Sequence, residues 1–152
     1  MDFNNYEELH KLIAEVVDEK YKIAIANITY LEEIDNKCYV IYMTQFRDVL
    51  NHLSRIYSCE DIVSSKAEIT EQLERISGHL ERVVIDSFRK ITDSLLRNVL
   101  ATCKPRDKNA FRIQIAQEVR DLRLSNQEVS FEDKLEGFQK MVEYLEELLK
   151  KD

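Results

Sequence analysis

The sequence predicts an all-α protein, an up-and-down bundle of about five helices that includes a long third helix, in a single domain over residues 1–152. Three observations carry this. Only two glycines, Gly78 and Gly137, and one proline, Pro105, punctuate 152 residues, whereas an average protein holds about 7% glycine and about 5% proline. Sheets joined by tight turns need far more turn formers. Glu, Lys, Leu, Arg and Ala, all good helix formers, are abundant. Apolar residues recur at steps of three and four over long stretches, the spacing of one helix face.

The first helix is expected over Tyr6 to Ile34, with Asn5 and Glu8 at the spacing of a capping box. Its inward stripe is Leu9, Ile13, Val16, Val17, Tyr21, Ala24, Ile28 and Leu31, and Asp35-Asn36 forms the turn that follows. The second helix is expected over Lys37 to Tyr57, with Tyr39, Met43, Phe46, Leu50, Leu53 and Tyr57 as the seam facing the bundle. The segment after it reads as a loop, and Ser65 with Glu68 offers a second capping box.

The third helix is expected from Lys66 to Cys103, with Ile69, Leu73, Ile76, Leu80, Val84, Phe88, Ile91, Leu95 and Val99 in one register. Gly78 marks either a kink or a close contact, and Lys104-Pro105 stops the helix, because the residue before proline disfavours helical dihedrals. A fourth helix covers Asn109 to Leu124 and ends at Ser125-Asn126. The fifth begins after Ser130, with Asp133 three residues on, and reaches Lys150. Phe111, Ile115, Val119 and Leu122, then Leu135, Phe138, Val142, Leu145 and Leu149, are their inward faces. The first and third helices outrun a compact bundle, so their apolar stripes are expected to be covered in a homodimer.

The formal charge of −7 argues against general binding to a polyanion, whose affinity comes first from phosphate neutralisation. The charge is uneven, −6 over residues 1–65, +3 over 66–125 and −4 over 126–152. Three scattered cysteines, Cys38, Cys59 and Cys103, form no Cys-x-x-Cys pair and fit a reducing cytoplasm. The N-terminal residues lack the basic and apolar regions of a secretory signal, and no stretch approaches the ~20 apolar residues of a membrane span.

Acid–base chemistry near neutral pH would use one of His10, His52 and His79. His52-Leu-Ser-Arg55 and His79-Leu-Glu-Arg82 repeat the pattern His-Leu-x-Arg. With the apolar seam placed inward, Arg47, Asp48, Asn51, His52 and Arg55 share the outer half of the second helix. Arg75, His79, Arg82, Asp86 and Arg89 share that of the third. On a level antiparallel pair His52 and His79 are offset by about 13 Å, which predicts that they do not cooperate within one chain. Glu7-x-x-His10 has the spacing of di-iron bundles, but no second Glu-x-x-His accompanies it, so no metal and no cofactor is expected.

The string from Arg47 to His52, Arg-Asp-Val-Leu-Asn-His, resembles the Arg-x4-His motif of the HEPN superfamily, small helical bundles that include metal-independent ribonucleases of toxin and antiviral systems. The resemblance implies that Arg47 steadies a phosphate, Asp48 orients its neighbours and His52 is the general acid or base in cutting RNA through its 2′-hydroxyl. Asn51, Arg55, His79 and Arg82 are the candidate binding residues around them. Such domains dimerise so that two motifs face one cleft. The competing expectation is a non-catalytic adaptor or assembly protein acting through helix–helix contacts. An exposed seam would dock a protein partner, and the acidic fifth helix would either close the bundle or detach and dock. A third expectation is an RNA or nucleotide binder that does not cut, although aromatics among the central arginines are few.

Overall fold

Asn5 opens the first helix as its side-chain pattern predicts. Its Oδ1 accepts the Glu8 N–H at 2.9 Å, and Glu8 reaches back to accept the Asn4 N–H at 2.6 Å. The computed structural model describes residues 3–102, 108–124 and 129–150. It contains α1 (Tyr6–Asp35), α2 (Ile41–Tyr57), α3 (Lys66–Thr102), α4 (Lys108–Leu124) and α5 (Phe131–Lys150), with no strand among the described residues. Cys103, the Lys104-Pro105 stop and the Ser125-Asn126 break lie outside those residues. None of the described helices is long and apolar enough to cross a membrane.

Asn36 leaves α1 with φ of 50°, the left-handed geometry that an asparagine tolerates at a helix end. It delays α2, which starts at Ile41 rather than at Lys37. At the other end of the chain Ser130 caps α5, accepting the Asp133 N–H at 3.0 Å while its hydroxyl donates to the Asp133 carboxylate at 2.9 Å.

The chain packs as two compact units, Met1–Ile28 with Cys38–Val84, and Thr29–Lys37 with Ile85–Asp152. Both α1 and α3 contribute to each. In the first unit Leu9 and Ile13 of α1, Val49 and Ile56 of α2, and Ile69, Leu73, Ile76 and Leu80 of α3 form one buried cluster with Phe3 and Ile62. Lys20 on α1 ties this layer to α3, donating to Ser77 Oγ and to the Glu81 carboxylate, each at 2.6 Å.

In the second unit Phe88 stacks on Phe138 of α5 at 6.0 Å between centroids. The Tyr30 hydroxyl donates to Glu146 of α5, and its burial, with that carboxylate beside it, pushes its pKa well above the ordinary tyrosine value. Phe138, Met141 and Leu145 are buried, so α5 closes its unit. A Cβ on Gly137 would meet Leu122 Cδ2 at 2.4 Å, so the glycine lets α4 approach α5 closely.

All nine positions of the predicted α3 stripe are buried, from Ile69 at 0% exposure to Val99 at 1%. That stripe is covered within the chain. Gly78 lies inside an unbroken α3, and a Cβ there would meet nothing within 4 Å. It is therefore not a close contact. Gly78→Ala is expected to stabilise the protein by about 0.5–1 kcal/mol, the helix-interior cost of glycine, read as a raised denaturation midpoint.

The seam assigned to α2 is turned. Its buried residues are Tyr42, Val49, His52 and Ile56. Met43, Leu50 and Tyr57 stand in solvent, while Tyr39, Phe46 and Leu53 sit half-buried at the edge.

Candidate functional site

The rotation of α2 follows from two polar residues that face inward with their partners. Gln45 and His52 are seven positions apart on α2, and Gln72 and His79 are seven apart on α3. Because the helices run antiparallel, each glutamine meets the other helix's histidine. His52 Nδ1 lies 2.7 Å from Gln72 Oε1, and His79 Nδ1 lies 2.8 Å from Gln45 Oε1. An amide oxygen only accepts, so each imidazole facing one carries its proton on Nδ1 and donates it. When the rings are neutral, both Nε2 atoms are then left as lone pairs.

The two rings stack with centroids 5.3 Å apart and planes at 28°. This overturns the expectation that His52 and His79 lie too far apart within one chain. The pairing of 45 with 79 and 52 with 72 does leave their backbones about 10 Å apart along the axis. However, helical side chains lean toward their own N-terminus. On antiparallel helices these two lean toward each other, and the gap closes.

His52 is 8% exposed and Gln72 6% exposed, while His79 and Gln45 are half-buried. Burial of His79, followed by the nearby positive charge that His52 can carry, holds its pKa below the ordinary histidine value. Arg82 and Arg75 push the same way, and Asp48 opposes them. His52 and His79 thus lie between α2 and α3, with Asp48, Arg75 and Arg82 near enough to act on His79, although Arg82 faces solvent and Arg75 is paired with Glu71.

The remaining predicted residues do not join it. Arg47 and His52 are not on one outer face, as the wheel placed them. They stand roughly 140° apart around the helix, with the Arg47 side chain 69% exposed and 3.5 Å from Asp48. The wheel erred because it treated His52 as a polar residue that belongs outside. A buried histidine with a partner costs little, and that partner lies on another helix. Asn51 and Arg55 face solvent, and the Arg55 backbone carbonyl accepts from Ser58 N–H at 3.1 Å.

The residues that sequence reading missed are Gln45 and Gln72. A signal for them exists, because the His-Leu-x-Arg repeat extends backward. Gln45-Phe46 through Arg55-Ile56 matches Gln72-Leu73 through Arg82-Val83 as Gln, apolar, five positions ending before His, then His-Leu-x-Arg and apolar. The repeat encodes one reciprocal pair rather than two separate surface motifs.

A second feature of the first unit is apolar. Met43, Leu50 and Tyr57 are 62%, 65% and 58% exposed, each seven residues from the next. Beside them on α1 lie Tyr21, packed edge-on against Phe46 at 5.6 Å, and His10, 5.8 Å from Tyr57. No family model matches the chain, and neither a curated protein nor a solved structure does so.

Proposed function

We propose that the chain is a non-catalytic helical assembly protein whose working surface is the apolar face of α1 and α2 in the first unit. The observation that carries this is the exposed line of Met43, Leu50 and Tyr57 at heptad spacing. Single exposed apolar side chains are ordinary, whereas a row of three at the repeat of a helix–helix seam is a surface for association. The surface is placed on α2 rather than on the fifth helix, where Phe138, Met141 and Leu145 are buried and Tyr144 alone among its large apolar side chains is exposed.

Met43→Lys and Leu50→Glu test the proposal. Both side chains stand in solvent, so the variants are expected to keep the wild-type helical circular dichroism and Tm while losing association with the chain's protein partner. A wild-type protein that binds neither itself nor any other protein contradicts the reading.

A second reading is a metal-independent, HEPN-like ribonuclease or RNA-binding module. It is supported by the cluster at His79, not by Arg47. A histidine kept neutral by burial, with its Nε2 unprotonated, suits removal of a 2′-hydroxyl proton, and Arg82 beside it suits a phosphate. The 2′-oxygen would then attack phosphorus to form a 2′,3′-cyclic phosphate and expel the 5′-oxygen of the next nucleotide, which takes a proton from water. Incubation with mixed RNA in EDTA decides it. The reading expects cleavage that His79→Ala and Arg82→Ala abolish, and absence of cleavage by the wild type removes the catalytic version.

A further inference from the structure

We infer that the occupant of the α1–α2 face is a second copy of this chain, with the α2 of each copy lying across the α1 of the other. The inference rests on the assembly reading above and names its partner.

The register of the face is fixed by two contacts. His10 meets Tyr57 and Tyr21 meets Phe46, so eleven residues up α1 correspond to eleven down α2 along the whole face. In that register Leu50 stands level with Val17. Around Val17, the residues Ala14, Val17, Asp18 and Tyr21 have the i, i+3, i+4, i+7 arrangement that forms a hole for an incoming side chain. Ala14 is exposed and supplies no side chain beyond Cβ to fill it. A two-fold axis running along the helices, between α1 and α2, sets the partner's α2 over α1 at the same level. The partner's Leu50 then enters this hole, and the same contact recurs on the other side, as a self-complementary interface requires.

The other symmetric arrangement turns the axis across the helices, stacking α2 on α2 and α1 on α1. Charge decides between them. In the first unit α1 carries Glu7, Glu8, Glu15, Asp18 and Glu19 against three lysines, of which Lys20 is held by Glu81 and Lys22 by Asp18, so acids outnumber bases on this helix. On α2 there are two arginines, Arg47 and Arg55, and one acid, Asp48. Like-on-like stacking sets basic rim on basic rim and acidic helix on acidic helix. Placing α2 over α1 sets the basic helix of one copy on the acidic helix of the other and brings Arg47, loosely paired with Asp48 at 3.5 Å, near Asp18, which Lys22 shares, so of the two arrangements this one is complementary in sign.

Sedimentation equilibrium of the purified chain tests the inference. A particle of twice the 18.0 kDa chain mass is expected, with Leu50→Glu weakening self-association by at least about tenfold at unchanged helicity. Arg47→Glu and Asp18→Arg are each expected to weaken the dimer, and an equimolar mixture of the two to recover it as a heterodimer, because both cross-contacts regain opposite charges. A wild-type monomer at roughly 100 μM overturns the inference. So does a dimer indifferent to Leu50→Glu. If Leu50→Glu dissociates the dimer but the mixture recovers nothing, the α2-over-α1 pairing is wrong. A monomer that binds a different protein through Leu50 leaves the assembly reading standing and removes the second copy alone.

Discussion

Gln72→Leu is expected to lower stability by about 1–3 kcal/mol, the cost of leaving a buried donor without its acceptor. The substituted side chain is of similar size, so the loss reports the hydrogen bond rather than a cavity. His52 is 8% exposed, and its Nδ1 proton goes to Gln72 Oε1 at 2.7 Å. For a chain of this length Tm falls by about 2–4 °C per kcal/mol. Gln45→Leu, which deprives the half-buried His79, is expected to cost less, because water replaces the lost acceptor there. Replacing His52 and Gln72 together by leucine removes donor and acceptor at once and is expected to recover much of the loss. Chemical denaturation of His52→Leu, Gln72→Leu and the double variant measures this coupling directly.

Lowering the pH is expected to destabilise the protein through the same pair. Burial holds the folded-state pKa of His79 below its ordinary value of 6.5, and the neighbouring His52, Arg82 and Arg75 add to the effect against Asp48. Once pH falls below about 6.5, the unfolded chain therefore binds protons that the folded chain refuses. The stability His79 contributes is fully present above 6.5 and is lost as pH falls through the folded-state value. Two imidazoles stacked at 5.3 Å also resist a second positive charge. Tm measured between pH 8 and pH 5 is expected to drop on the acid side. In His79→Gln the drop becomes shallower, while Asp48→Asn, which removes the one charge that favours protonated His79, makes it deeper and carries it to lower pH. A His79→Gln protein with the wild-type pH profile contradicts this assignment.

The fold was legible where the pattern needed only one helix to be read. The α3 stripe is apolar at every expected position, and all nine residues are buried. The caps at Asn5 and Ser130 are local, joining residues three apart, and both form with the side chains expected. What single-helix periodicity could not resolve is α2, which bears two apolar arcs. Both arcs repeat every seven residues, Met43, Leu50 and Tyr57 in one and Tyr42, Val49 and Ile56 in the other, and the second is buried because Gln45 and His52 gain partners on α3 and turn inward. Only the paired glutamines, seven residues before each histidine on both helices, distinguish these polar residues from solvent-facing ones.

The site was legible in its residue types and hidden in its grouping. His52, His79, Asp48 and Arg82 are all among the residues singled out from sequence, but Arg47 meets only Asp48 among them. Lean along the helix axis, which a wheel projection discards, brings the two rings together. The same misplacement of the α2 seam hid the apolar face. Side chains assigned to the core were not available as a surface until their exposure was seen.

The central claim is that the α1–α2 face is the working surface. Methyl-labelled methionine reports on it in the intact chain, because Met43 is 62% exposed on that face while Met141 is 6% exposed in the second unit. The Met43 methyl resonance is expected to shift and broaden as the protein associates with its partner or with itself, while that of Met141 stays in place. A Met141 resonance that moves while Met43 remains sharp and unshifted would contradict it.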